Sequence, residues 1–379
     1  MIGIWALLLI LTRIEAAWLS PLRPLTPLER ALPAWPPTSP LPLWLERVLI
    51  APWARWDAHW YARIATAGYR AGDGTTQFYP LYPLLAMPLI RLGLPPMAAL
   101  TLISLAAGLG AVLLLERLAR REMDPVRARQ TTLAFVLFPT GFLLFAPYTE
   151  ALFLLLAIGS LGAARGRRWG LAGLLAALAA LTRPQGIFLL LPLAWLLRRT
   201  GGGFRNGGFL LLPPLALGGW SLVRIAGIDG LPATGHGFNA YLYALLFSPH
   251  ANQVVTVQAF LWPWEAMGRA IGKLLRQPDV DLIVNLILAA WFLILMIRAW
   301  RWMDRGEQLY TLAVALSAFS YHTGPVHPYM GLPRHLWIAF PVFLALGRTH
   351  SRRLSALPAL QAPGFFFVII PYILEAWVP

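Results

Sequence analysis

The residues Arg55-Trp56-Asp57-Ala58-His59-Trp60-Tyr61-Ala62-Arg63 set a carboxylate, an imidazole and two guanidinium groups among aromatic rings. On a helix at about 100° per residue, Trp53, Trp56, Trp60 and Ile64 fall on one face, with Asp57 in its midst. Arg55, His59 and Arg63 point the other way. Indoles cannot replace the water that a carboxylate loses, so an acid on that face is costly to keep charged. A helix that only lay on a membrane would keep its acid on the polar side. An acid snorkelling past its neighbours is the bland alternative. The placement fits better with a working residue whose carboxylate can take up a proton.

The elements that must position it are membrane helices. Of 379 residues, 58% are hydrophobic and 12% charged, where an ordinary soluble domain carries about 25% charged residues. The expected fold is an all-α polytopic membrane protein, a single domain over 1–379 with no room for a separate globular domain beyond its loops. A basic excess of 31 Lys and Arg over 16 Asp and Glu would suggest nucleic acid in a soluble chain. Here the arginines cluster between apolar segments, as cytoplasmic loops do, so no nucleic-acid partner is expected. With no cysteine, neither a disulfide framework nor a thiolate metal site is available. Lys273 is the sole lysine in a chain rich in Ala, Gly, Pro and Leu. That skew points to a GC-rich genome and a bacterial plasma membrane.

Residues 2–20 lack the basic start and small-residue cleavage site of a signal peptide. They read as a retained first span, with Arg13 and Glu15 turned to the bundle interior. A long Pro-rich stretch follows, from Pro21 to Pro42, and becomes more ordered over 44–67. Further spans are expected at 97–116, 130–146, 150–164, 169–182, 186–197, 208–226, 281–300, 308–321, 336–347 and 359–378. Several fall short of the ~20 residues that a straight crossing needs. Basic clusters at 117–129, 165–168, 198–205, 298–305 and 348–353 lie in alternate loops and set those loops in the cytoplasm. Parity then makes 78–94 an interfacial or re-entrant hairpin broken by its prolines. About eleven spans result, with the N-terminus inside and the C-terminus outside. Two large extracytoplasmic loops, 20–96 and 227–280, remain, the first holding Asp57 and interfacial helices.

Farther along come Gln77-Phe78-Tyr79-Pro80-Leu81-Tyr82-Pro83, Pro147-Tyr148-Thr149-Glu150, Leu181-Thr182-Arg183-Pro184, Trp262-Pro263-Trp264-Glu265 and Leu332-Pro333-Arg334. With Trp56, Asp57, His59, Trp60, Ile64, Ala65, Gly68 and Tyr69, these resemble the PIG-V-like mannosyltransferases. That family belongs to the GT-C superfamily of membrane glycosyltransferases that use lipid-linked sugars. The likeness runs over most of the chain. It implies a GT-C type fold, a polyprenyl-phosphate sugar as donor, mannose as the sugar, and Asp57 as catalytic base. His335 departs from the pattern, which has Tyr after Pro333-Arg334.

Elementary chemistry agrees with that implication. A sugar leaving a polyprenyl phosphate needs a base at the acceptor hydroxyl and cations at the departing phosphate, and one carboxylate can suffice. Arg183 and Arg334 sit at outer helix ends, against the positive-inside trend. They suit either a lipid phosphate or headgroup snorkelling. Glu150 either lines the pocket or complements a helix dipole. His59 and Arg63 orient substrate or solvate their face. Trp56, His59, Tyr148, Glu150 and Gln258 are candidate pocket walls. Asp279-Val280-Asp281 spells a metal-binding DxD but follows Pro278, where an acid caps a helix. His322, His327 and His335 lack ligand geometry. No metal and no cofactor beyond the lipid-linked donor is expected. The acceptor, a lipid, glycan or protein, is not legible. A transporter or lipid flippase, or a non-catalytic subunit of a glycosylation complex, is the alternative. A transporter would spread polar residues through mid-membrane helices, whereas here they gather in the outer loops.

Overall fold

The computed structural model describes residues 1–22, 44, 49–230, 242, 245–246, 258–349 and 353–374. The prolines from Pro24 to Pro42, most of 231–257 and the end of the last expected span lie outside the described residues. The described chain is overwhelmingly helical. Five helices are long and apolar enough to cross a membrane: Ile2–Leu19, Pro96–Ala119, Phe204–Asp229, Val280–Trp302 and Leu354–Ile373. At 1.5 Å per residue their 18 to 26 residues give about 27–39 Å, enough for a hydrocarbon core of about 30 Å.

Other apolar segments are shorter because proline interrupts them. The segment 130–146 is a helix, Pro125–Val136, followed by a 3-10 turn, Pro139–Leu144. Phe138, before Pro139, is extended at φ −55°, ψ 139°, the conformation that the proline ring imposes on its predecessor. The segment 186–197 likewise divides into Pro184–Leu189 and Leu190–Arg199. The hairpin expected at 78–94 is instead one helix, Leu81–Arg91. Pro83 falls in its first turn, where no N–H is needed, and Pro88 is carried inside it.

The chain packs as two compact units. The first holds Met1–Gly68, Pro80–Gly162 and Phe343–Val378. In it the helix Arg353–Ile373 packs on Ile2–Leu19, on Pro125–Val136 and on the Pro139–Leu144 turn, while Asp57–Ala67 packs on Leu81–Arg91 and Pro96–Ala119. Arg13, expected to face inward, is buried. Its guanidinium lies 4.3 Å from the Trp53 ring centroid and donates to Phe145 O at 2.6 Å. Trp5 stacks on Phe145 with centroids 4.2 Å apart. Gly108 allows this close approach, because a Cβ there would stand 2.8 Å from Leu144 O and 2.6 Å from the Trp5 ring.

The second unit holds Tyr69–Tyr79 and Ala163–Val342. Its helices include Trp169–Ala180, Leu190–Arg199, Leu212–Arg224, Pro263–Arg276, Val280–Ala299, Arg305–Ser320 and Leu332–Trp337. A two-residue strand, Ala259–Phe260, pairs antiparallel with Tyr321–His322. Asp304 and Glu307 form a reciprocal capping box at the start of Arg305–Ser320, and the buried Glu307 also takes Arg165 at 2.6 Å. Arg224 and Asp229 form a fully buried pair at 3.2 Å. Thr76 also donates to Asp229, at 3.2 Å.

Gly108 gives a direct test of the packing. Alanine is the better helix former by about 0.5–1 kcal/mol, but a methyl forced against backbone costs about 1–3 kcal/mol. Gly108→Ala should therefore lower the thermal unfolding midpoint in detergent. Gly162→Ala, with nothing within 4 Å of the added carbon, should leave it unchanged or raise it.

Candidate active site

Asp57 is the first residue of the helix Asp57–Ala67. The helix does not extend back through Trp53, because Ala51–Trp53 is a separate 3-10 turn and Trp56 breaks the phase at φ 50°, ψ −117°. The expected stripe of Trp53, Trp56 and Trp60 on one helical face is thus not formed. A tryptophan in left-handed backbone is strained by about 1–3 kcal/mol and persists only where the surroundings over-determine it. Here they do. Tyr372 donates its hydroxyl to Trp53 O at 3.0 Å, and Tyr148 donates to Arg55 O at 3.3 Å. The Arg55 guanidinium donates to Ile373 O at 3.2 Å and to Ala54 O at 3.1 Å.

Three placements differ from the sequence expectation. Arg55, assigned to the polar face, is 2% exposed, and His59 is 5% exposed. The reason lies in the late helix start. With Asp57 opening the helix, its buried face is Ala58, His59, Tyr61, Ala62, Ile64 and Ala65. Arg63 does not oppose Trp60 but lies over it, 5.7 Å from the ring centroid, since positions three apart are helical neighbours. Asp57 and Trp56 remain half-buried.

A tyrosine cluster surrounds this junction. Tyr61 meets Tyr82 edge-on at 5.0 Å, and Tyr82 shares a 2.6 Å hydrogen bond with Ser104, which donates to Tyr148 O at 3.0 Å. Glu150 is fully buried in the first turn of Thr149–Arg165, within electrostatic range of Tyr82. Asp57 is likewise within range of Tyr372. Sequence reasoning passed over Arg55, Tyr82 and Tyr372 as site residues. Tyr82 stood in a quoted motif, but Tyr372 carried no local signal.

The second unit gathers the other candidates around one residue that sequence reasoning left unassigned. Arg183 precedes Pro184 and is extended at φ −152°, ψ 141°. That turns its side chain off the end of Trp169–Ala180 and brings its guanidinium to His335 Nδ1 at 2.7 Å. Arg334 and His335 sit together on the short helix Leu332–Trp337, which starts from Gly331 at φ 68°, a left-handed conformation that glycine adopts freely. The Tyr321 ring meets His335 edge-on at 5.6 Å, and its hydroxyl donates to Gln258 Oε1 at 2.6 Å. Arg183, Arg334 and Gln258 are thereby linked through His335 and Tyr321. Asp279 is the N-cap of Val280–Ala299, accepting from Leu282 N at 3.3 Å, and is ion-paired with Lys273. Among the described residues no three His, Cys, Asp or Glu side chains are grouped to hold a metal ion.

Among the described residues, five helices of membrane length are the mark of a membrane protein. The sequence pattern of the family described as Mannosyltransferase (PIG-V) matches residues 6–195, and the chain belongs to that family. It is a glycosyltransferase, with mannose as the family's sugar. Nothing among the curated proteins and nothing among the solved structures matches the chain. The matched stretch includes Trp56, Asp57, His59, Arg63, Tyr148, Glu150 and Arg183, and leaves out Gln258, Arg334 and His335. Membership favours the enzyme over the transporter alternative.

Burial, with Arg183 and then Arg334 beside it, holds the His335 imidazole well below its ordinary value of 6.5. The unfolded chain therefore binds a proton near that pH while the folded protein does not. Stability is fully present above about pH 6.5 and falls as the pH drops below it, by up to about 1.4 kcal/mol per pH unit for each such histidine. His322, lowered first by burial, adds a slope of the same sign. The unfolding midpoint of the detergent-solubilised protein should fall between about pH 7.5 and pH 5.5, and His335→Gln should flatten that fall. Equal slopes in the two proteins would refute the assignment.

Proposed function

We propose that the protein transfers mannose from a polyprenyl-phosphate donor to an acceptor hydroxyl on the extracytoplasmic side of the membrane, with inversion. Asp57 is the general base in this reading, and the fold is a single GT-C type domain of about eleven spans. The observation that carries the proposal is the strained Trp56–Asp57 junction, where buried bonds hold a half-exposed carboxylate at a helix start inside the family-matched stretch.

The proposed step balances without a further reactant. The acceptor oxygen attacks the anomeric carbon as Asp57 takes its proton. The carbon–oxygen bond to phosphate breaks on the opposite face, and the electron pair leaves with the polyprenyl phosphate. Phosphate is already a fair leaving group, so no acid is required. Arg183 and Arg334 bind its charge, which suits planar donors. Trp56, His59, Tyr148, Glu150 and Gln258 are further substrate-binding candidates in this reading, and Arg63 orients substrate.

Asp57→Asn keeps the shape of the side chain but cannot accept the proton. Transfer of labelled mannose from polyprenyl phosphate, per amount of folded protein, should fall at least about 10²-fold. Asp57→Glu keeps the base but displaces it by a methylene and should retain part of the activity. Near-normal transfer by Asp57→Asn would end the base assignment. Orientation is testable because the native chain has no cysteine. Ala71→Cys should react with an impermeant thiol reagent on intact cells, and Gly203→Cys only after permeabilisation. Reaction of both from outside would reverse the expected topology.

A further inference from the structure

His335 is 8% exposed, and its Nδ1 stands 2.7 Å from the Arg183 guanidinium. A guanidinium has five N–H donors and no acceptor. Nδ1 must therefore accept, and the single proton of the neutral ring sits on Nε2. A doubly protonated ring would turn an N–H against the guanidinium. Arg183 thus selects one tautomer, as a neighbouring partner commonly does for histidine. Nε2 is shielded from solvent and meets no hydrogen-bond partner among the described residues. The Tyr321 hydroxyl, on the ring that meets His335 edge-on, donates to Gln258. A buried donor without an acceptor costs about 1–3 kcal/mol, and native structures rarely keep one without a use.

We propose that His335 is a substrate-binding residue, held by Arg183 as the Nε2–H tautomer so that Nε2–H donates to a phosphate oxygen of the lipid-linked donor. A phosphate oxygen fits better than a sugar hydroxyl because Arg183 and Arg334 both act electrostatically at this ring, and two cations favour an anionic acceptor. The histidine adds a short, directional donor that neither flexible arginine supplies alone. Arg183 in this arrangement is partly a positioning residue, acting through the imidazole. The inference deepens the donor assignment made above and rests on it.

The test separates the two. In lipid nanodiscs, the ¹⁵N spectrum of histidine-labelled protein, with His335 identified by the signal lost in His335→Gln, should show a neutral ring protonated on Nε2. That Nε2 signal should move on titration with polyprenyl phosphate, which carries no sugar, and should not move with free mannose. In transfer assays His335→Phe should raise KM for the lipid-linked donor roughly tenfold or more, with a smaller effect on kcat. His335→Gln, which keeps an N–H, should recover most of that loss. A proton on Nδ1, an Nε2 signal unmoved by saturating polyprenyl phosphate, or a response to mannose alone would overturn the proposal. So would an unchanged KM in His335→Phe. Movement of Nε2 by polyprenyl phosphate in a protein that transfers no mannose when given polyprenyl-phosphate mannose would instead uphold the site and refute the proposed reaction. The spectrum needs only the wild-type and Gln proteins, so the proposal stays falsifiable if His335→Phe fails to fold.

Discussion

The Asp57 site depends on how the backbone of residues 53–56 is tied down. Trp53 O accepts from the Tyr372 hydroxyl, Arg55 O accepts from Tyr148, and the Arg55 guanidinium reaches Ile373 O near the other end of the chain. Arg13 lies over the Trp53 ring from the first helix. A buried hydrogen bond is worth about 0.5–1.5 kcal/mol net, and one from a charged donor about 1.5–3. Together these exceed the few kcal/mol that a left-handed tryptophan costs at Trp56. The strain is therefore sustained, and its product is direction. Trp56 leaves helical geometry, so the helix starts at Asp57 rather than several residues earlier. The carboxylate then stands at the helix opening instead of within a continuous indole face.

Among the described residues, the buried arginines have partners of several kinds. Arg13 and Arg55 direct donors to backbone carbonyls, and Arg183 directs one to a neutral imidazole. Such partners occupy guanidinium donors where the low dielectric strengthens each bond. Arg224 also meets a carboxylate, Asp229, at 3.2 Å with both side chains fully buried.

Composition and motif order made the helical membrane class and the family legible from the sequence, because apolar length and a run of spaced residues survive without tertiary information. Asp57 stood out as a candidate for the same reason. What failed was phase. Nothing local announces that Trp56 will take positive φ, since the cause is a set of bonds from residues near 13, 148 and 372. Treating 53–64 as one helix therefore reverses the burial of Arg55 and His59 and separates Arg63 from Trp60, on which it lies. Pro88, expected to break a hairpin, is instead absorbed inside one helix, and Pro139 and Pro184 do the breaking. In sequence His335 is only a departure from a motif and a poor metal ligand. Its environment comes from Arg183, 152 positions away, a separation that no periodicity can bridge.

The proposed chemistry explains why so few reacting groups are needed and why those present are held so firmly. With a polyprenyl phosphate as the proposed leaving group, the protein would have neither a nucleotide to activate nor a leaving oxygen to protonate. What remains is to deprotonate a hydroxyl at the right moment and to stabilise negative charge as it gathers on phosphate. Both tasks are electrostatic, and both gain from groups that need not reorganise during the reaction. The carboxylate is fixed by strained backbone and buried tyrosines. The proposed phosphate-binding donors sit on a pre-proline turn and a glycine-started helix, with the Arg183 guanidinium on the His335 imidazole. Catalytic demand in such a reaction falls on geometry rather than on reactive side chains, and geometry is what the buried polar bonds of this protein secure.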